Sequence, residues 1–146
     1  SFRLEQQRER IPVLFLGCIY YGITYYFIRS LDIAYHHAFF GLFLSFLTAG
    51  IVLALIGLIL TSKWKISLHG IGIGALAGGA MAFAQELQPI ANLQQVFLIN
   101  TVLLLLVGVI GVSRLVLKAH TTTQVVVGSL LGVFISFIFI AKHWWI

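Results

Sequence analysis

The chain has 146 residues, a formal net charge of +5, an apolar content of 60% and only 9% charged residues. A soluble domain of this size needs a polar shell, and this composition cannot supply one. The single cysteine, Cys18, excludes a disulfide framework or a cysteine-based metal site. Basic residues that flank apolar runs point to membrane orientation and anionic ligands, not to nucleic acid.

Uncharged stretches run from Ile11 to Ile28, Ile33 to Ser62, Ile66 to Gln85, Leu87 to Ser113 and Ala119 to Ala141. A helix rising 1.5 Å per residue needs about 20 residues to cross the hydrocarbon core, and a span must satisfy its own backbone hydrogen bonds. No period-two polarity suggests a β-barrel. The expected fold is therefore all-α, a polytopic bundle of about five spans forming a single domain over residues 1–146. Span A is expected from Pro12 to Ile28, with Pro12 in the first turn, where proline is tolerated. The polar turn Arg29-Ser30-Leu31-Asp32 closes it. Span B runs from Ala34 to Thr61 and is followed by the basic loop Ser62-Lys63-Trp64-Lys65. Span C runs from Ser67 to Ala84. A polar loop from Gln85 to Gln95, containing Pro89, precedes span D, Val96 to Val112. Ser113-Arg114 and Lys118 lie beyond it. Span E runs from Thr121 to Ile140, closed by Lys142, His143, Trp144 and Trp145. The chain opens on Ser1 in a charged segment, without a signal-peptide pattern, and an upstream piece is expected before it.

Gly70, Gly74 and Gly78 recur every four residues in span C, as do Gly128, Gly132 and Ser136 in span E. Such rows let helix backbones approach closely in lipid, so C and E are expected to be the central pair. Tyr20, Tyr21, Tyr25, Tyr26 and the terminal tryptophans fit interfacial belts. His36-His37 has no further ligands nearby in sequence, and no metal site is expected.

Five crossings place residues 1–11, 62–69 and 113–120 on one membrane face. That face carries Arg3, Arg8, Arg10, Lys63, Lys65, Arg114 and Lys118, seven of the nine Lys and Arg residues, together with His69 and His120. Two readings fit this asymmetry. One is the positive-inside rule, which makes the face cytoplasmic. The other is an anion site in which cations and histidines converge. Lys63, Lys65 and Lys118 read as anchors or lipid-headgroup contacts.

The spacings bear on that choice. Arg3 is separated by six residues from Arg10, with Ile11-Pro12 next. Ser67-Leu68-His69 opens span C. Ser113-Arg114 is followed by five residues and then His120, with Gln124 four further on. This arrangement resembles the three-part signature of the type 2 phosphatidic acid phosphatase family, whose relatives include the vanadium haloperoxidases. The family pattern is Lys-x6-Arg-Pro, Pro-Ser-Gly-His and Ser-Arg-x5-His-x3-Asp, on a six-helix membrane core. The resemblance runs from Arg3 to Gln124, and the third motif is the specific one. Here Arg3 replaces the lysine, the proline is displaced to Pro12, Ile66 and Leu68 replace Pro and Gly, and Gln124 replaces the aspartate. The family's first helix is expected upstream of Ser1.

What the resemblance implies is a lipid phosphate or pyrophosphate substrate, met among membrane lipids, with no cofactor. Arg3, Arg10 and Arg114 would bind phosphate oxygens, helped by Ser67 and the N–H groups that open span C. His120 would attack phosphorus and form a phosphohistidine, and His69 would protonate the leaving oxygen. Gln124 would take the place of the carboxylate that orients the nucleophile. It shares a helix face with His120 but brings no charge. Reduced turnover is expected from that change, and the alternative is a silent member that binds lipid phosphate or serves as a partner subunit. A purely structural bundle is a third reading. A bacterial inner membrane follows from family habit alone.

Overall fold

The computed structural model describes residues 2–35, 38–86 and 92–142, with side chains described for 11–31, 40–86 and 92–142. Five helices follow one another: α1 (Phe2–Tyr35), α2 (Ala38–Lys63), α3 (Leu68–Glu86), α4 (Leu93–Val116) and α5 (Thr122–Ala141). Each contains a segment long and apolar enough to cross a membrane, so the chain is an integral membrane protein of the all-α class. Among the described residues there is no strand.

Small residues decide the packing. α3 and α5 form the central pair, and they run parallel. Ser67 lies against Gly128, Ile71 against Gly132, Gly74 against Ser129, and Gly78 against Val133. A Cβ at Gly128 would stand 2.7 Å from the Ser67 carbonyl oxygen. One at Gly74, Gly78 or Gly132 would overlap the backbone of the facing helix. Both rows repeat every four residues, so the ridge of one helix seats in the groove of the other. Along the α3–α5 seam the buried residues are mainly glycine, alanine and serine, while large side chains such as Phe97, Leu105 and Phe134 face outward. That inversion of a soluble core suits a chain whose outside is lipid.

The other helices are arranged around this pair. α2 leans on both members, with Phe46 and Ile140 meeting at Gly79. α1 packs on α2, and its described residues run antiparallel to it, Tyr21 lying over Gly50 and Leu14 beside Gly57. α4 flanks α3 and touches α5 where Gly111 meets Val125.

Several expected boundaries shift. The turn at Arg29–Asp32 does not form, and α1 continues to Tyr35. No glycine or proline interrupts that stretch, and the Ser30 hydroxyl donates to the Phe27 carbonyl at 2.6 Å within the helix. Pro12 is interior, because α1 already begins at Phe2. Lacking an N–H, it leaves the carbonyl four residues earlier without its helical donor. Gln94 and Gln95 belong to the first turn of α4, behind an Asn92 cap whose Oδ1 accepts from the Gln94 N–H at 3.0 Å. Ser113 and Arg114 lie in its last turn. His36-His37, Pro89, His143 and the terminal tryptophans fall outside the described residues.

Candidate functional site

Three chain segments meet at one end of the bundle: the α2–α3 corner, the end of α4, and the start of α5. The α4–α5 link is built from two consecutive caps. Ala119 N–H donates to the Arg114 carbonyl at 3.1 Å, and Lys118 N–H to the Leu115 carbonyl at 2.9 Å. This pair is the Schellman pattern, and its left-handed residue is Lys118, at φ 49°. Three residues after Lys118, Thr121 caps α5. Its side chain accepts from the Gln124 N–H at 3.4 Å, while Thr121 N–H donates to Gln124 Oε1 at 3.1 Å, completing a capping box. The five residues between Arg114 and His120 are thus the length of one helix stop, and His120 is delivered just before the next helix start.

His120 is half-buried. Its Nδ1 lies 3.2 Å from Gln124 Oε1 and 3.3 Å from the Lys65 carbonyl oxygen. These contacts fix the tautomer. A backbone carbonyl only accepts. The Gln124 atom that receives the Thr121 N–H must be the amide oxygen, and it too only accepts. Nδ1 therefore carries the proton, shared between two acceptors. The neutral ring keeps its lone pair on Nε2. Gln124 closes the cap and orients the imidazole with the same oxygen.

Ser67 N–H donates to the Gln124 carbonyl at 3.3 Å, so the starts of α3 and α5 are tied directly. The Ser67 hydroxyl accepts from the Gly70 N–H at 3.2 Å, and the residue is fully buried beneath Gly128. The structure gives Ser67 the work of an N-cap and a helix contact, away from the surface. His69 is exposed and turned elsewhere. Two residues separate it from Ser67, about 200° around the helix. It lines a hollow of about 450 Å³ with Leu68, Gly72, Ile73, Leu76 and Ile110, on the α4 flank of α3. Arg114 is four residues beyond Ile110, on the same face of α4 and one turn nearer the membrane surface. Its Nε is buried and has no hydrogen-bond partner. An N–H in that condition is costly unless an acceptor reaches it.

His69, Arg114, His120 and Gln124 therefore surround one end of α3, with His120 and Gln124 in contact. The side chains of Arg3 and Arg10 lie outside the described residues. Their backbone belongs to the first turns of α1. The Lys65 carbonyl was not foreseeable from residue types, because it is a backbone atom brought in by the corner. The Thr121 cap was readable as Thr-x-x-Gln ahead of an apolar run. Among the described residues no group of three His, Cys, Asp or Glu side chains gathers as a metal site. No family model, curated protein or solved structure matches the chain.

Proposed function

We propose that this membrane protein hydrolyses a lipid phosphate or pyrophosphate through a phosphohistidine. The observation that supports the reading best is His120, held with Nδ1–H donated to Lys65 O and Gln124 Oε1 and with its lone pair on Nε2. A nucleophilic imidazole needs that tautomer and a third group that keeps it.

In this reading Nε2 attacks phosphorus, the bond to the lipid oxygen breaks, and the leaving oxygen takes a proton from His69. Phosphoryl transfer places nucleophile and leaving group on opposite sides of phosphorus. In this reading His120, toward α5, and His69, on the α4 flank, would both have to reach one phosphorus at the start of α3. Water then attacks the phosphohistidine as His69 takes its proton, releasing phosphate and restoring both rings. Arg114, with Arg3 and Arg10, would hold the phosphoryl oxygens. The buried Nε of Arg114 supports this, because a phosphate oxygen would satisfy it.

The test is phosphate release from a lipid phosphate in detergent, with acid-labile phosphoenzyme trapped in parallel. Both should vanish in His120→Ala. Turnover that survives in this variant would remove the nucleophile and the reading with it. One observation favours a second reading, in which the chain binds lipid phosphate without turning it over: Gln124 is uncharged and cannot support an imidazolium as a carboxylate does. Saturable binding that depends on Arg114, with no phosphate released, would establish that reading instead.

A further inference from the structure

The outer face of α3 is flanked by two hollows, and one of them reaches a histidine. Beside it, between α1 and α3, lies a hollow of about 180 Å³ reached by Leu14, Tyr21, Gly50, Leu68, Gly72 and Ala75. On its other flank lies the hollow of His69, Ile73, Leu76 and Ile110. The two share Leu68 and Gly72. Gly72 forms the floor between them, and a Cβ there would meet nothing within 4 Å. Every other glycine of α3 is pressed against a neighbouring element, α5 in three cases and Phe46 with Ile140 in the fourth. Within α3, Gly72 is the one glycine that receives no neighbouring element.

We infer that the outer face of α3, floored by Gly72, holds the hydrocarbon chain of an anionic lipid whose phosphate lies at His69 and Arg114. The inference rests on the proposed phosphate site and names the part of the substrate that site does not touch. Charge and polarity are matched along the path. Cationic Arg114 and the ring of His69 stand at the membrane-surface end, and from Leu68 inward the α4-side hollow is walled by Ile73, Leu76 and Ile110. The run from His69 to Leu76 covers about 10 Å at 1.5 Å per residue. A chain there would leave the phosphate on the His69 side, which is where a leaving lipid alcohol would take its proton. Gly72 would then decide how closely the chain can approach α3, and with it the preference for long-chain over short-chain phosphates.

The experiment compares wild type, Gly72→Leu and Gly108→Leu. Gly108 is a control on α4, where a Cβ also meets nothing within 4 Å and the neighbouring hollow is a different one. The readout is the ratio of kcat/KM for a long-chain lipid phosphate to that for a short-chain, water-soluble phosphate ester. Gly72→Leu should lower the ratio by about tenfold, as expected when apolar contacts in a pocket are blocked. Gly108→Leu should leave it unchanged. An unchanged ratio in Gly72→Leu, or an equal fall in both variants, overturns the inference. If wild type hydrolyses neither substrate, the catalytic reading fails and binding decides the groove. Binding of the long-chain phosphate that exceeds that of inorganic phosphate, and that is weakened in Gly72→Leu alone, sustains it. Binding of both ligands unaffected by Gly72→Leu overturns it.

Discussion

Replacing Gly78 with alanine tests the architecture on which every functional statement depends. A Cβ at this position would overlap the Val133 carbonyl oxygen and stand 2.7 Å from Val133 Cα and 2.8 Å from Val133 C. All three are backbone atoms in the middle of α5, so no side-chain rotation can make room. Ordinary contact is restored only if α3 and α5 separate by about 1 Å, which loosens a close-packed seam along its length. Overpacking a core costs about 1–3 kcal/mol, and a backbone obstruction belongs at the upper end of that range. Intrinsic helix preference acts the other way, since alanine is favoured over glycine by about 1 kcal/mol within a helix. A net loss of about 2 kcal/mol should lower the midpoint of thermal unfolding by about 4–8 °C for a chain of this size. The assay is thermal unfolding in a mild detergent followed by circular dichroism, with Gly108→Ala beside it. That control adds the same methyl group where nothing lies within 4 Å, so it should be neutral or stabilising. Equal midpoints for the two variants would refute the close contact of α3 with α5, and with it the tie between Ser67 and Gln124.

Other expectations concern the site itself. Gln124→Glu keeps an acceptor for both Thr121 N–H and His120 Nδ1 and adds a charge beside the ring, so turnover should rise by about tenfold or more. Gln124→Leu removes both bonds, and should lower the unfolding midpoint by the worth of the cap, about 1 kcal/mol, while turnover falls further. Lys118→Gly replaces a side chain held in the left-handed region and should stabilise by about 1 kcal/mol, read as a higher midpoint; no gain would argue against the cap geometry at the end of α4. Arg114→Lys keeps a cation but loses the planar fork and the buried Nε–H, and should weaken phosphate binding by about tenfold, measured by titration with inorganic phosphate.

Much of this arrangement is legible in the chain because lipid simplifies the code. Uncharged length marks the spans, and glycines every four residues mark the seam, so the central α3–α5 pair follows from Gly70, Gly74, Gly78, Gly128 and Gly132. Boundaries are harder to read. Asp32 and Arg29 look like a turn by charge, yet a charged residue near a helix end can reach the interface while its backbone stays helical. Nothing in residues 29–35 breaks a helix, and α1 does not stop there. Within the site, the fate of Ser67 and His69 depends on rotation about one helix axis. Residues two apart point in nearly opposite directions, and adjacency in a motif says nothing about which one faces the partner helix. The seam settles it. Gly70 and Gly74 must face α5, which draws Ser67 under Gly128 and turns His69 to the other flank.

The same reasoning explains how an amide can stand where a carboxylate would be expected. A side chain at this position has two tasks, closing the first turn of α5 and holding His120 in one tautomer. Glutamine performs the first as well as glutamate does. For the second, an isolated amide is ambiguous, because it can offer oxygen or nitrogen to the ring. Here the ambiguity is removed by Thr121, whose backbone N–H can only donate and so binds the amide oxygen. The Lys65 carbonyl then adds a second acceptor from an unrelated part of the chain. Orientation is therefore set by geometry that carries no net charge. What the amide omits is the electrostatic support that a positive imidazolium or a phosphorylated ring would draw from a carboxylate. In the proposed mechanism, orientation of His120 and charge support for it are thereby separated. The Gln124→Glu variant measures the charge term almost alone, since the cap, the tautomer and the Lys65 contact are all retained.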